Sequence, residues 1–329
     1  MKISVCIPTY NQADYVCQSI KSVMGQTLLP DEIIVSNDCS TDGSKELLEQ
    51  LAGQLDLLTV FNQPINLGIS KNTDFCLRAA QGDYVVRLDS DDLLHKNYIQ
   101  TLSELLDQNP QAGFAHAAVQ EINGKGEKIR NRKLNRKTGF QDDSAALKAA
   151  LKGYRVAANI LIFRRKALEK ANYINCSQDF AEDYYLSVNI AKAGFGNVYS
   201  DEVLSSYRIW NDNGKVRQKR KLAEINGLNA VMNFALLPAF NQRKWNVKTI
   251  EQSKEHFAIN HSDCLSWDVY SIEEKAELER AIYNLSSTKR VKFLVWIRKN
   301  GFGKIFDIFQ EFQTTVKQRA KNMIISNNH

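Results

Sequence analysis

The first hundred residues alternate short β-rich runs with amphipathic helical patterns, and no other feature restricts the possible folds as strongly. Residues 3–7 read as a strand, after which Val16, Ile20, Val23 and Met24 fall on one helical face at i, i+4, i+7 and i+8. Residues 32–36 form a second strand pattern and 42–51 a second helix pattern. Residues 57–61 and 84–88 are further strands, separated by a helix over about 70–80, and Tyr98, Ile99, Leu102, Leu105 and Leu106 mark another helix. Such regular alternation predicts an α/β fold, a mostly parallel sheet covered on both faces. Ligands in these sheets bind beyond the carboxyl ends of the strands, which directs attention to the loops after Ile7, Ser36 and Leu88.

The pattern then changes. Residues 114–122 followed by Asn123-Gly124-Lys125-Gly126 predict a strand and hairpin turn, and 131–143 is polar, basic and unpatterned, as in a mobile loop. Residues 157–163 read as an apolar strand and 181–193 as a helix ended by Gly194. Beyond about residue 211 strand signals stop, and 222–237, 249–261, 272–285 and 289–299 read as helices. A last helix is expected to carry Phe302, Ile305, Phe306, Phe309, Phe312 and Val316 on one stripe. A boundary near residue 212 is therefore expected, with 1–211 as an α/β unit, divided at 107/108, and 212–329 as a helical region.

With 43% hydrophobic and 24% charged residues, 16 Gly and 5 Pro, the composition excludes collagen-like and wholly disordered chains. No run approaches the roughly 18 apolar residues of a membrane span; the best, 230–240, contains Asn233 and Pro238. The first residues lack the pattern of a signal peptide, so a cytoplasmic setting is expected. Cys6, Cys17, Cys39, Cys76, Cys176 and Cys264 show no CxxC or metal spacing and read as reduced thiols. The net charge of +6 is concentrated at the end, where 288–329 carries nine Lys and Arg against only Asp307 and Glu311.

Three of the strand ends are more polar than a core requires: Pro8-Thr9-Tyr10-Asn11, Asn37-Asp38-Cys39-Ser40-Thr41-Asp42-Gly43-Ser44 and Asp89-Ser90-Asp91-Asp92. Ser40 and Asp42 suit helix capping, and Tyr10 suits packing. Three carboxylates within four residues repel one another unless a cation neutralises them, and a hard divalent ion bridging to phosphate oxygens would do so. Taken in order with Asn66-Leu67-Gly68-Ile69-Ser70-Lys71-Asn72 and Gly82-Asp83-Tyr84-Val85-Val86-Arg87-Leu88, these segments closely resemble family 2 of the glycosyltransferases. The resemblance is strong from residue 3 to about 107 and weak to about 209.

That resemblance implies a glycosyltransferase-A fold and inverting transfer of a sugar from a nucleotide-diphosphate donor, most simply a UDP-sugar. In the family, 1–107 would be the nucleotide-sugar half and 108–211 the acceptor half. Pro8 and Tyr10 would line the base and ribose, and Asp38 would accept a hydrogen bond from the base. Asp89-Ser90-Asp91 matches the D-x-D motif, with Asp91 nearest a Mg²⁺ or Mn²⁺ ion, Asp92 beside it and Asp89 holding the ribose. Asp179-Phe180-Ala181-Glu182-Asp183 resembles the acidic motif that supplies the base, so Asp183 would take the proton of the acceptor hydroxyl and Glu182 would support it. The alternative for Glu182 and Asp183 is complementing a helix dipole.

Two departures stand out. Thr73 occupies the position where many members carry an arginine facing the diphosphate, which leaves Lys71 or Arg78 to compensate. Trp210 occupies the position of a histidine after Tyr207-Arg208-Ile209, where it would stack on a sugar or pack. The basic tail, 288–325, with Val291, Leu294, Val295, Trp296 and Ile297, fits an interfacial helix pair at the inner membrane surface, which would suit a lipid-linked or other glycan acceptor; the alternative is that its apolar stripe packs on the catalytic domain and its charges are solvated. Nucleic-acid binding is not expected, since no recognised module or aromatic-lined basic groove is present. The rival readings are a non-catalytic nucleotide-sugar scaffold and a sugar-nucleotide nucleotidyltransferase. The latter lacks its Gly-rich loop here, and no G-x-G-x-x-G supports a dinucleotide enzyme.

Overall fold

A computed structural model describes residues 1–175, 179–210 and 218–303. Chain contacts divide the protein into two compact units, Met1–Asp212 with Ala230–Val247 and Asn213–Asn229 with Lys248–His329. A single cut at 211/212 does not describe this division. Within Ala230–Val247, Val231, Met232, Ala235, Leu236, Ala239 and Phe240 are buried in the first unit, and Arg243 donates to Asp143 Oδ2 at 2.5 Å and to the Ala191 carbonyl at 3.0 Å. Residues 231–236 form a π-helical turn rather than the continuous α-helix that the pattern over 222–237 predicts.

The first unit is built on one sheet in the order β3-β2-β1-β4-β9-β6-β10-β5. Its strands are β1 (Ile3–Thr9), β2 (Glu32–Asn37), β3 (Leu58–Asn62), β4 (Tyr84–Arg87), β5 (Leu93–Leu94), β6 (Ala112–Ile122), β7 (Lys128–Arg132), β8 (Gly139–Gln141), β9 (Leu161–Arg164) and β10 (Gly196–Arg208). Strands β3, β2, β1 and β4 run parallel, whereas β9 is antiparallel to both β4 and β6. The helices are α1 (Ala13–Met24), α2 (Ser44–Ala52), α3 (Ile69–Ala79), α4 (Tyr98–Gln108), α5 (Asp143–Ala150), α6 (Arg165–Ala171) and α7 (Glu182–Lys192).

The period of two along each strand assigns the faces. Ile3, Val5 and Ile7 of β1, Ile33 and Val35 of β2 and Val86 of β4 pack with Val16, Ile20 and Val23 of α1 and with Ile99, Leu102 and Leu106 of α4. The intervening Cys6, Ile34 and Val85 pack on the other face with Cys76 and Leu77 of α3, Leu168 of α6 and Leu186 and Ile190 of α7. Both faces are covered, which is why β1, β2 and β4 carry near-continuous apolar runs rather than a strict apolar–polar alternation.

Three features were not anticipated. Residues 139–141 are not loop but strand β8, paired antiparallel with β10. The longest strand, β10, has mixed polarity because its register on β6 is broken between Ser200 and Val203 and again before Ser205. It also ends in the loop that faces the acidic cluster.

Inside the sheet, His116 of β6 lies between the rings of Phe114 and Tyr199, at centroid distances of 5.8 and 5.1 Å. Burial, reinforced by Arg136, pushes its pKa down to about 3 from 6.5. The unfolded chain thus binds one more proton than the native state below pH 6.5, and His116 makes stability fall as pH drops through that window. The slope reaches roughly 1.4 kcal/mol per pH unit. Urea unfolding between pH 7 and 4 is expected to show this loss, and His116→Phe to flatten it; equal slopes in the two proteins would refute the assignment.

Candidate functional site

Strands β1, β2 and β4 end side by side, with Thr9 opposite Asn37 in the register and Arg87 opposite Cys6. Their loops are stitched together by side chains. Asn11, in a left-handed conformation, accepts from Thr41 N at 2.8 Å through Oδ1 and donates its own N–H to Ser40 Oγ at 2.9 Å. Asp42 accepts from Ala13 N at 2.9 Å and from the hydroxyl of Ser44 at 2.5 Å. Burial alone would raise its pKa; the hydrogen bonds from Ala13 and Ser44 outweigh it and hold the carboxyl below its usual range. Ser40 and Asp42 therefore fasten the first two loops together. Pro8 is half-buried and the Tyr10 ring is exposed beside them.

Asp38 is buried, and its two oxygens accept from Leu67 N at 2.7 Å and Gly68 N at 3.0 Å. Each oxygen retains a lone pair for a further donor. Gly68 has φ +84° and ψ 166°, a region open in practice only to glycine, and a Cβ there would lie 2.9 Å from Asp179 Oδ2. The glycine thus lets the segment reach Asp38 and brings Asp179 close to it.

The acidic loop is held from three sides. Ser19 Oγ lies 2.8 Å from the Ser90 carbonyl and 2.7 Å from that of Asp92. Arg208, the last residue of β10, donates Nε to the Asp91 carbonyl at 2.8 Å and its backbone N–H to Asp92 Oδ1 at 2.8 Å. Its guanidinium also lies over the Tyr15 ring, 4.7 Å from the centroid. Trp210 donates its indole N–H to Asp91 Oδ2 at 2.7 Å and packs edge-on against Tyr15 at 4.8 Å. In this state the indole caps Asp91.

The electrostatics of the loop follow from crowding. Burial and the charge of Asp89 raise the Asp91 pKa, against the opposing Trp210 hydrogen bond. Burial, with Asp91 and Asp89, raises that of Asp92 well above the carboxylate range. Asp92 Oδ2 is buried without a hydrogen-bond partner. Among the described residues no three His, Cys, Asp or Glu side chains converge as a metal-ligand set.

The residue that sequence reasoning missed is Arg87. It ends β4, is 3% exposed, and pairs with three carboxylates. Its Nε lies 3.2 Å from Asp89 Oδ1, one terminal nitrogen lies 3.3 Å from Glu182 Oε1, and the other contacts Asp183 Oδ1. Burial by itself would lower the pKa of this guanidinium, but Asp89 and Glu182 more than reverse that, so it is held charged. Asp89 is thus engaged with Arg87, and Glu182 and Asp183, in the first turn of α7, do more than complement its dipole. A signal existed: a cation in the middle of the otherwise apolar run 84–88 needs buried anions.

The expected substitutes for the missing arginine separate clearly. Thr73 is buried. Arg78 is bound away from the site, by Asp74 at 2.6 Å and the Asn172 carbonyl at 3.0 Å, with its guanidinium over Tyr173. Lys71 is exposed on α3.

The α/β sheet thus carries an acidic loop at its carboxyl edge, joined by a buried arginine to a second acidic pair. Among solved structures the chain is similar to S. aureus TarS 1-349 in complex with UDP-GlcNAc, with a TM-score of 0.66 and 19% identity, covering 94% of this chain and 92% of that one. It is also similar to the mannosyltransferase PcManGT from Pyrobaculum calidifontis in complex with GDP-Man and Mn²⁺, with a TM-score of 0.59 and 17% identity over 97% and 84% of the two chains. Among curated proteins it is 38% identical to the cholesterol galactosyltransferase of Borreliella burgdorferi over 101 residues, 31% of this chain and 28% of that protein. The match thus spans little more than a quarter of that relative's length. Residues 4–171 match the model of glycosyl transferase family 2, and the chain belongs to that family.

Replacing Arg87 by Met leaves two buried carboxylates and Asp89 without their counter-ion. A loss of about 3–5 kcal/mol in unfolding free energy is expected, partly recovered when Glu182→Gln is added. A loss below about 1 kcal/mol, the size of a surface pair, would show that solvent rather than Arg87 neutralises the cluster.

Proposed function

We propose that the protein is an inverting glycosyltransferase that moves a sugar from a nucleotide-diphosphate donor, a UDP-sugar in the first instance, to a hydroxyl of a glycan or lipid-linked acceptor. The carrying observation is the Arg87 cluster, which joins the acidic loop after β4 to Glu182 and Asp183, 95 and 96 positions later in the chain. Residues 1–107 would bind the donor and 108–211 the acceptor. The names of the similar structures, with UDP-GlcNAc in one and GDP-Man and Mn²⁺ in the other, support a nucleotide-sugar donor.

In this reading Tyr10 and Pro8 flank the base and ribose, and Asp38 accepts the base N–H with the lone pairs left by Leu67 and Gly68. Asp89, fixed by Arg87, faces the ribose, and Lys71 offers a mobile cation to the diphosphate in place of the arginine absent at Thr73. The unpartnered Asp92 oxygen and the raised pKa values of the crowded Asp91 and Asp92 carboxyls fit a divalent cation, Mg²⁺ or Mn²⁺. Asp91 would hold it, with Asp92 beside it, and donor oxygens would complete its shell. When bound, such an ion spreads the charge of the departing diphosphate.

Asp183 acts from the acceptor side. Arg87 contacts Oδ1, and the second oxygen takes the acceptor proton as that hydroxyl oxygen bonds to the anomeric carbon. The bond from that carbon to the diphosphate oxygen breaks, its electron pair leaves with the nucleoside diphosphate, and the configuration inverts. Glu182 orients Arg87 against Asp183, and Trp210 supports the acidic loop from above. Cys6, Cys17, Cys39, Cys76 and Cys264 are free thiols, in keeping with a reducing, cytoplasmic setting at a membrane face. Among the described residues no helix is long and apolar enough to cross a membrane.

Calorimetric titration with UDP, with and without Mn²⁺, is expected to give Mn²⁺-dependent binding in the wild type that Asp91→Ala abolishes. Asp183→Asn should keep that binding and lose transfer by about 10²–10⁴-fold. Binding without transfer in the wild type, across a panel of acceptors, would favour the scaffold reading. Full transfer in Asp183→Asn would place the base elsewhere.

A further inference from the structure

The helical unit is Asn213–Asn229 with Lys248–His329. Its described residues include helices α8 (Lys221–Ala230, in the first unit only at Ala230), α9 (Lys248–His261), α10 (Ile272–Leu285) and α11 (Lys289–Lys299). Thr288 caps α11, accepting from Val291 N and donating its hydroxyl to Glu255 at 2.7 Å. Val291, Leu294, Val295 and Ile297 of α11 are buried. Of the apolar residues the sequence had offered to a bilayer, these four are spent on folding the unit, and most of the expected 302–316 stripe lies outside the described residues.

What remains on the outer face of α11 is a different set. Phe293 is 57% exposed, Trp296 56%, and Phe302 just beyond the helix 49%. The Trp296 and Phe302 rings stack at 6.1 Å. Lys289, Arg290 and Lys292 are exposed at the amino end of the same helix, and no acidic residue occurs from 288 to 303. Lys299 is paired with Glu279 at 2.6 Å. Three cations in the first turn oppose the helix dipole, and three large aromatics in water give up hydrophobic free energy; neither arrangement helps the unit fold.

We propose that this face of α11 is a docking surface for an anionic lipid bilayer. Phe293, Trp296 and Phe302 enter the headgroup boundary, and Lys289, Arg290 and Lys292 meet lipid phosphates. The charge complementarity is one-sided, since the segment offers only cations. Aromatic bodies beside long basic side chains are the composition that sits at a water–hydrocarbon interface. A nucleic acid fits less well, because Trp296 and Phe302 each spend one face on the other and the exposed cations sit at one end of the helix rather than along a groove beside the rings. The inference uses the second unit alone and stands whether or not the donor reading is correct.

The experiment is flotation of the full-length protein with vesicles of equimolar phosphatidylglycerol and phosphatidylcholine, compared with phosphatidylcholine alone. Binding is expected only to the anionic vesicles and should weaken as salt is raised. Lys289→Glu with Arg290→Glu and Lys292→Glu should weaken it by at least about a hundredfold, at roughly fivefold per basic residue. Phe293→Ser with Trp296→Ser should weaken it while circular dichroism remains that of the wild type. Brominated lipid should quench wild-type tryptophan emission more than that of Trp296→Phe. Equal binding to neutral vesicles, no vesicle binding, preferential binding of single-stranded oligonucleotide, or self-association that the Phe293→Ser and Trp296→Ser changes abolish without any lipid effect would each overturn the proposal.

Discussion

The buried Arg87 guanidinium is the interaction on which the first unit depends. It stands at the end of β4 where the sheet is dry on both faces, and in that setting an unpaired cation would cost several kcal/mol. Asp89, Glu182 and Asp183 supply the anions. Their pairing fixes the start of α7 against the carboxyl edge of a strand almost a hundred residues earlier. Two parts of the chain that carry different chemistry are thereby held in one place by electrostatics rather than by apolar packing alone.

The same bond sets the charge of the site. Arg87 neutralises the carboxylates nearest α7, while Asp91 and Asp92 are left to repel each other. Their crowding is relieved only partly, by the Arg208 backbone N–H on Asp92 and the Trp210 indole on Asp91. Arg208 and Trp210 both come from the end of β10, so the register breaks of that strand decide how the acidic loop is covered. A neutral indole donor on Asp91 stabilises the carboxylate without filling a cation's place permanently, since a single hydrogen bond of this kind is worth only about 1.5–3 kcal/mol.

The sheet gives these interactions their rigidity. Strands β1, β2 and β4 are buried on both faces, and the cross-links Asn11–Thr41, Asp42–Ala13 and Asp38–Gly68 carry that rigidity into the loops. The segment Ala230–Val247 extends the first unit from beyond the apparent boundary. Its buried residues and the Arg243–Asp143 pair do what a local pattern of helix signals could not announce, because a helix reads alike in sequence whichever unit buries its apolar face.

Much of residues 1–107 was legible because its determinants are local. A short apolar run at β1, β2 and β4 and a helical period at α1 and α4 need only neighbours within a dozen residues, and the polar strand ends stand out against them. The acidic loop and the Glu182-Asp183 pair were visible as residue types. The strands β8 and β10 were not, because bulges and mixed polarity erase the alternation. The partners were decided by tertiary structure alone: Arg87 on Asp183, Trp210 on Asp91, Arg243 on Asp143, and the apolar side of α11 folded inward with its aromatics outside. A one-dimensional chain records which groups are present and how often they recur. Which charge neutralises which, and which face of a helix is spent on the core, depends on distances across the fold, where a buried ion pair or an exposed ring acquires its energy.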